Sequence, residues 1–97
     1  MTTRRGLIAE ALRRIAPLVP DFERGAILDH AVDSPGLAKA SPEAAAWLSL
    51  TAHVRHLHTE YDQLLAEGYD ADSARHFVLE ATNAVLADWG CRKRVGD

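Results

Sequence analysis

Apolar positions recur at helical spacing from one end of the chain to the other. Leu7, Ile8, Ala11, Leu12 and Ile15 fall at intervals of one, three and four, which makes one apolar helix stripe. This predicts a first helix from about Thr3 to Ala16, with Arg4, Arg5, Arg13 and Arg14 mostly off the stripe. Pro17 and Pro20 end it, because each lacks an N–H donor and disfavours helix at the residue before it. A second helix is expected after Asp21, read as its N-cap, and continues to about Val32 with Phe22, Ala26, Ile27 and Ala31 facing the core. Gly25 inside it costs about 1 kcal/mol relative to Ala, so either a neighbour packs closely there or the helix is weak. Asp33-Ser34-Pro35-Gly36 reads as a turn.

Ser41-Pro42-Glu43-Ala44 is the clearest helix start. Ser41 is the N-cap, Pro42 takes the first helical position, and Glu43 lies in the positive first turn. The third helix is expected to run unbroken from Pro42 to Glu67, with Gly68 stopping it. Trp47, Leu50, Val54, Leu57, Tyr61, Leu64 and Leu65 share its core face. At a rise of about 1.5 Å per residue this helix is roughly 40 Å long. A domain of this size is only about 26–30 Å across, so the helix should protrude or join an oligomer. Asp70 or Asp72 caps a fourth helix that runs to about Trp89, with Ala74, Val78, Ala81, Val85 and Trp89 inside, and Gly90 ends it. No segment alternates apolar and polar residues as a half-buried strand does. The expected fold is all-α: a small bundle of three to five helices with one long central helix. Residues 1–90 form a single helical domain and residues 91–97 a flexible basic C-terminal tail.

Composition narrows the function classes. The chain has 97 residues, 47% hydrophobic and 26% charged, which suits one folded domain and excludes both a disordered tail and a two-domain enzyme. A single cysteine, Cys91, excludes a disulfide framework and any multi-cysteine metal site. It lies in a basic stretch, which lowers a thiol pKa, and reads as a free thiol. No apolar run approaches the roughly 18–20 residues of a membrane span. The basic start resembles a signal peptide only as far as Glu10, Arg13 and Arg14, which interrupt the apolar stretch. A cytoplasmic protein that does not engage membranes is expected. The net charge of −3 is uneven: residues 1–24 carry +2, residues 41–90 carry −6, and residues 91–97 carry +2. Both ends together would make a basic patch if they meet in space.

The third helix holds the candidate chemistry. Thr51, Arg55, His58 and Asp62 follow one another at four, three and four residues, as a polar strip beside the core face. The plain reading is a hydrogen-bonded strip in which Asp62 pairs with His58. The functional reading is a recognition strip, extended by Arg75 of the next helix, which can pair with Asp62 or Glu67. A His58–Asp62 catalytic dyad would also need a nucleophile or a substrate pocket, and the sequence shows neither. His53, His56 and Glu60 line up at three and four on the other flank. Imidazole and carboxylate suit zinc or another first-row metal, with His30 or His76 as a further ligand. The spacing is not that of a His-Glu-x-x-His hydrolase, and surface histidines are the plainer account. No cofactor is called for.

The run Arg55-His56-x-His58-Thr59-x-Tyr61-Asp62-x-Leu64-Leu65, followed by Gly68, Ala74-Arg75 and Trp89, resembles a family of short bacterial proteins catalogued as domain of unknown function 2293. The resemblance covers roughly residues 42–90. That family carries a basic residue just after the Asp70 position, where Ala71 stands here, so the resemblance lends no support to anion binding at this turn. It implies a domain identity and no activity.

Three function classes follow. A non-enzymatic protein-interaction module, whose partner is an unidentified protein or a second copy of the chain as a homodimer, is favoured by the long third helix and the lack of a complete catalytic set. A nucleic-acid-associated domain draws on Arg4, Arg5, Arg13, Arg14 and Arg92-Lys93-Arg94, against an unfavourable net charge. A metal-dependent enzyme would use His53, His56 and Glu60.

Overall fold

A computed structural model describes residues 2–96 and shows them as helices joined by short turns, with no strand among them. The helices are α1 (Arg4–Ile15), α2 (Asp21–Asp33), α3 (Pro42–His58), α4 (Tyr61–Ala66), α5 (Ala71–Phe77) and α6 (Leu79–Asp88), with a 3-10 turn at Pro35–Leu37 between α2 and α3. The all-α expectation holds. The count of three to five does not, because each of the last two expected helices is broken once.

Both breaks lie beside a threonine hydroxyl that binds backbone. The hydroxyl of Thr59 donates to the Arg55 carbonyl at 2.5 Å and accepts from the Tyr61 amide at 3.2 Å. It thus serves the end of α3 and the start of α4 at once, with its own backbone extended at φ −137° and ψ 175°. Such local side-chain bonds compete with helix propagation. At the second break the Val78 carbonyl accepts from both the amide and the hydroxyl of Thr82, each at 2.8 Å. The single long central helix is therefore replaced by α3, of 17 residues and about 25 Å, and the length argument for an oligomer goes with it.

Most of the expected start and stop signals act at the helix ends. Thr3, Ser41 and Asp70 each accept a hydrogen bond from a first-turn amide at 2.8–3.1 Å. Asp21 is not an N-cap: Pro20 holds that place and Asp21 pairs with Arg24 at 3.0 Å. Gly68 and Gly90 have φ of +101° and +80°, and both close Schellman turns. Tyr69 and Gly68 donate to the Leu64 and Leu65 carbonyls, and Cys91 and Gly90 to those of Leu86 and Ala87.

The main core is formed by α1, α2, α3 and α6. Ile8, Leu12, Ile27, Leu50, Val54 and Leu86 fill its centre, and Ala11, Ala16, Ala45 and Ala46 let the backbones approach. A second, smaller cluster of Tyr61, Ala74, Val78 and Leu64 holds α4 and α5 together. These two short helices pack on each other and on the adjoining ends of α3 and α6, as an arm on a body, and the two together measure 46 × 28 × 26 Å.

Three expected core faces are corrected. Phe22 is 85% exposed and Ala26 is also outside, while Glu23 is buried beside Ile27 and Ala31. Leu57 in the last turn of α3, Leu65 on α4 and Ala81 in the first turn of α6 are exposed as well, on the stretch of chain around the two helix breaks. Residues 91–96, expected as a flexible tail, bind the body. Cys91 is buried, and Asn83 exchanges two hydrogen bonds with the Val95 backbone at 2.8 and 3.1 Å. Met1 and Asp97 lie outside the described residues. Burial raises the pKa of the Cys91 thiol against the opposing influence of Lys93, which reverses the expected lowering.

Three results are expected. A Cβ at Gly25 meets nothing within 4 Å, so Gly25→Ala should stabilise the protein by about 0.5–1 kcal/mol in urea denaturation. Gly90→Ala should destabilise it, because the new Cβ would lie 3.1 Å from Pro17 Cγ at a left-handed φ. Cys91 should react with a disulfide reagent several-fold more slowly in the folded protein than in denaturant.

Candidate functional site

Glu23 is the centre of the one nearly buried ionic cluster among the described residues. Its position on α2 turns the side chain toward the C-terminal half of α3. There its Oε1 accepts hydrogen bonds from Nε2 of His53, at 3.0 Å, and from Nε2 of His58. The side chains of Glu23 and His53 are about one-tenth exposed and that of His58 about one-third. Two positions five apart lie about 140° apart around a helix, so a single group reaches both only by approaching between them. Trp89 covers the histidines, with its ring edge-to-face against His58 at 5.2 Å and 6.4 Å from His53. The two imidazole centroids are 6.0 Å apart. Burial by itself raises the Glu23 pKa. The hydrogen bonds and charges of His58 and His53 outweigh that and leave it lowered.

This arrangement redistributes the expected site residues. His53, His56 and Glu60 do not converge. His53 faces Glu23, His56 Nδ1 contacts Asp62 Oδ1 at 2.6 Å, and Glu60 is exposed in the turn before α4. The helix break at Thr59 moves Glu60 off the α3 helix line that the spacing assumed. Asp62 accordingly serves His56 rather than His58, and the expected His58–Asp62 pair is absent from the described contacts. His30 shares a 3.0 Å hydrogen bond with Ser49 and, with His53 and His56, lines a cavity of about 250 Å³. His76 is exposed beside Phe77.

The recognition strip is divided as well. Thr51 is buried with its hydroxyl on the Leu48 carbonyl, so it does not belong to an exposed strip. Arg55 is half-buried with its guanidinium 5.6 Å from the Tyr61 ring centroid, and its buried Nε has no hydrogen-bond partner. Burial and the neighbouring charge of Arg75 lower the Arg55 pKa, and Tyr61 opposes them. Arg75 pairs with Asp72 on its own helix at 3.5 Å rather than with Asp62 or Glu67. Away from the strip, the basic ends meet: Arg14, Arg92 and Lys93 line a cleft of about 440 Å³ beside Pro17 and Gly90. Arg14 is paired with Glu43 at 3.3 Å, and Lys93 Nζ lies 4.6 Å from the Trp47 ring centroid.

The sequence reading missed Glu23 entirely. The signal was there in the spacing: Glu23 stands four and eight residues before Ile27 and Ala31, so helical periodicity puts a carboxylate on the core face of α2.

A family match covers residues 11–90, to the uncharacterised conserved proteins of DUF2293. The chain belongs to the DUF2293 family. The match begins in α1, well before the motif at Arg55, and takes in Glu23 as well as both histidines. No curated protein and no solved structure matches the chain.

Glu23→Ala is expected to cost about 1–3 kcal/mol, because it removes the shared acceptor of two partly buried donors. His56→Ala, which breaks a half-exposed pair, should cost no more than about 1 kcal/mol. Urea denaturation of both variants distinguishes them. A carboxyl with a lowered folded-state pKa adds stability above its unfolded value, which is lost as pH falls through the folded value. The advantage of wild type over Glu23→Gln should therefore be complete at neutral pH and vanish in acid.

Proposed function

We infer that this DUF2293 protein is a non-enzymatic protein-interaction module that engages its partner with the α4–α5 arm. The observation that carries this reading is the aromatic pair Tyr69 and Phe77. Their rings meet edge to face at 5.3 Å, yet they are 46% and 60% exposed. Leu65 on α4 is also exposed. Exposed aromatic anchors are characteristic of protein interfaces. From Thr59 to Glu80 the chain carries six acidic residues against one arginine, so a fitting partner presents an apolar strip flanked by basic side chains. Arg55, against the Tyr61 ring, and Asp62, against His56, tie α4 to the end of α3, whereas Arg75 pairs within α5. His58 belongs instead to the Glu23 cluster. Among the described residues no helix is long and apolar enough to cross a membrane. An unpaired, buried cysteine suits a reducing compartment such as the cytoplasm.

Nucleic-acid association is the second reading, favoured by the cleft where Arg14, Arg92 and Lys93 meet. The net charge of −3 and the Arg14–Glu43 pair work against it, because phosphate contacts dominate such affinity. The enzyme reading rested on His53, His56 and Glu60, which lie apart.

Affinity capture from the native extract, with and without nuclease, tests both readings against a Tyr69→Ser/Phe77→Ser variant. A stoichiometric protein that survives nuclease, is lost with the variant and is released by salt is the expected result. Capture that vanishes with nuclease, or that the variant retains, overturns the arm as the docking surface. Sedimentation of the purified chain would reveal a second copy as the partner.

A further inference from the structure

We propose that Glu23, His53 and His58 form a binding site for a divalent first-row cation of the zinc class, clamping α2 to the C-terminal end of α3. One carboxylate and two imidazoles are the donor types such ions take, and a three-ligand set leaves a coordination position open. The proposal is independent of the arm's role, since none of the three residues is on α4 or α5.

The geometry is close to what an ion requires. The three ligand atoms lie within 4.8 Å of one another, and the Glu23–His53 contact is 3.0 Å. Ligands at about 2.0–2.2 Å from one tetrahedral ion are about 3.3–3.6 Å apart. Small side-chain rotations close the difference, and His58 is free to supply them because a third of its side chain is exposed. Both histidines direct the same ring nitrogen, Nε2, at the same carboxylate oxygen. An ion between them takes the place of the two N–H···O contacts: each imidazole binds through Nε2 as a neutral ligand and keeps one proton on Nδ1, and the carboxylate offsets half of the ion's charge.

The surroundings add selectivity. Glu23 and His53 are nearly buried, so their side chains are already held before an ion arrives. Trp89 screens the histidines from one side. The pattern also differs from an incidental patch of surface histidines: His56 is engaged by Asp62, His30 by Ser49, and neither belongs to the convergent set.

Calorimetric titration of untagged, chelator-treated protein with zinc chloride tests the site, with cobalt(II) absorption as a second readout. One equivalent per chain should bind, with the visible spectrum of a four-coordinate cobalt ion and a change in Trp89 fluorescence in a Trp47→Phe background. Glu23→Gln and His53→Ala should each weaken zinc binding at least about tenfold, while His56→Ala leaves it unchanged. His58→Gln, at the exposed edge, serves the same purpose if either buried variant fails to fold by circular dichroism. No zinc binding, several weak equivalents, or loss of binding in His56→Ala instead would overturn the proposal.

Discussion

A carboxylate cannot be withdrawn from water without partners, and Glu23 imposes that requirement on the rest of the molecule. Its burial is tolerable only because two imidazoles reach it. Meeting them fixes the rotation of α2, which places Ile27 and Ala31 in the core and leaves Phe22 and Ala26 outside. It fixes the place of α3 relative to α2, since the two histidines must bracket one oxygen. It also sets the end of α6, because Trp89 closes over the rings. The alanines of α1 and α3 then allow these helices to approach with little side-chain volume between them.

Local signals made most of the fold legible in the sequence. The caps at Ser41 and Asp70 and the glycine stops at Gly68 and Gly90 act through neighbouring backbone groups, so a short stretch of chain contains all their physics. The breaks at Thr59 and Val78 are local too, but a threonine within an apolar periodicity is compatible with continuous helix as well as with a bend. Periodicity therefore overran both.

The candidate site was only partly legible for the opposite reason. His53 and His58 drew attention because histidines are concentrated on α3, but their common partner is 30 and 35 residues away on α2. No spacing rule on one helix can identify a ligand from another. His56 and Glu60 looked like companions of His53 on an ideal helix wheel, and they part company where the helix ends. The Arg55 to Asp62 strip failed at the same place. Arg14, Arg92 and Lys93 show the reverse: separate basic ends were evident from charge counting, and only folding brought them to one cleft.

The division of the apolar contacts into two clusters has a consequence for motion. The body is held by a continuous core, whereas α4 and α5 rely on Tyr61, Ala74, Val78 and Leu64. Such a unit can open sub-globally while the body stays folded. Amide hydrogen exchange in the arm then reports a smaller opening free energy than exchange in α1 and α3. Anything bound to the closed arm extends its protection first, so slowed exchange confined to residues 61–77 is the footprint of an occupied arm.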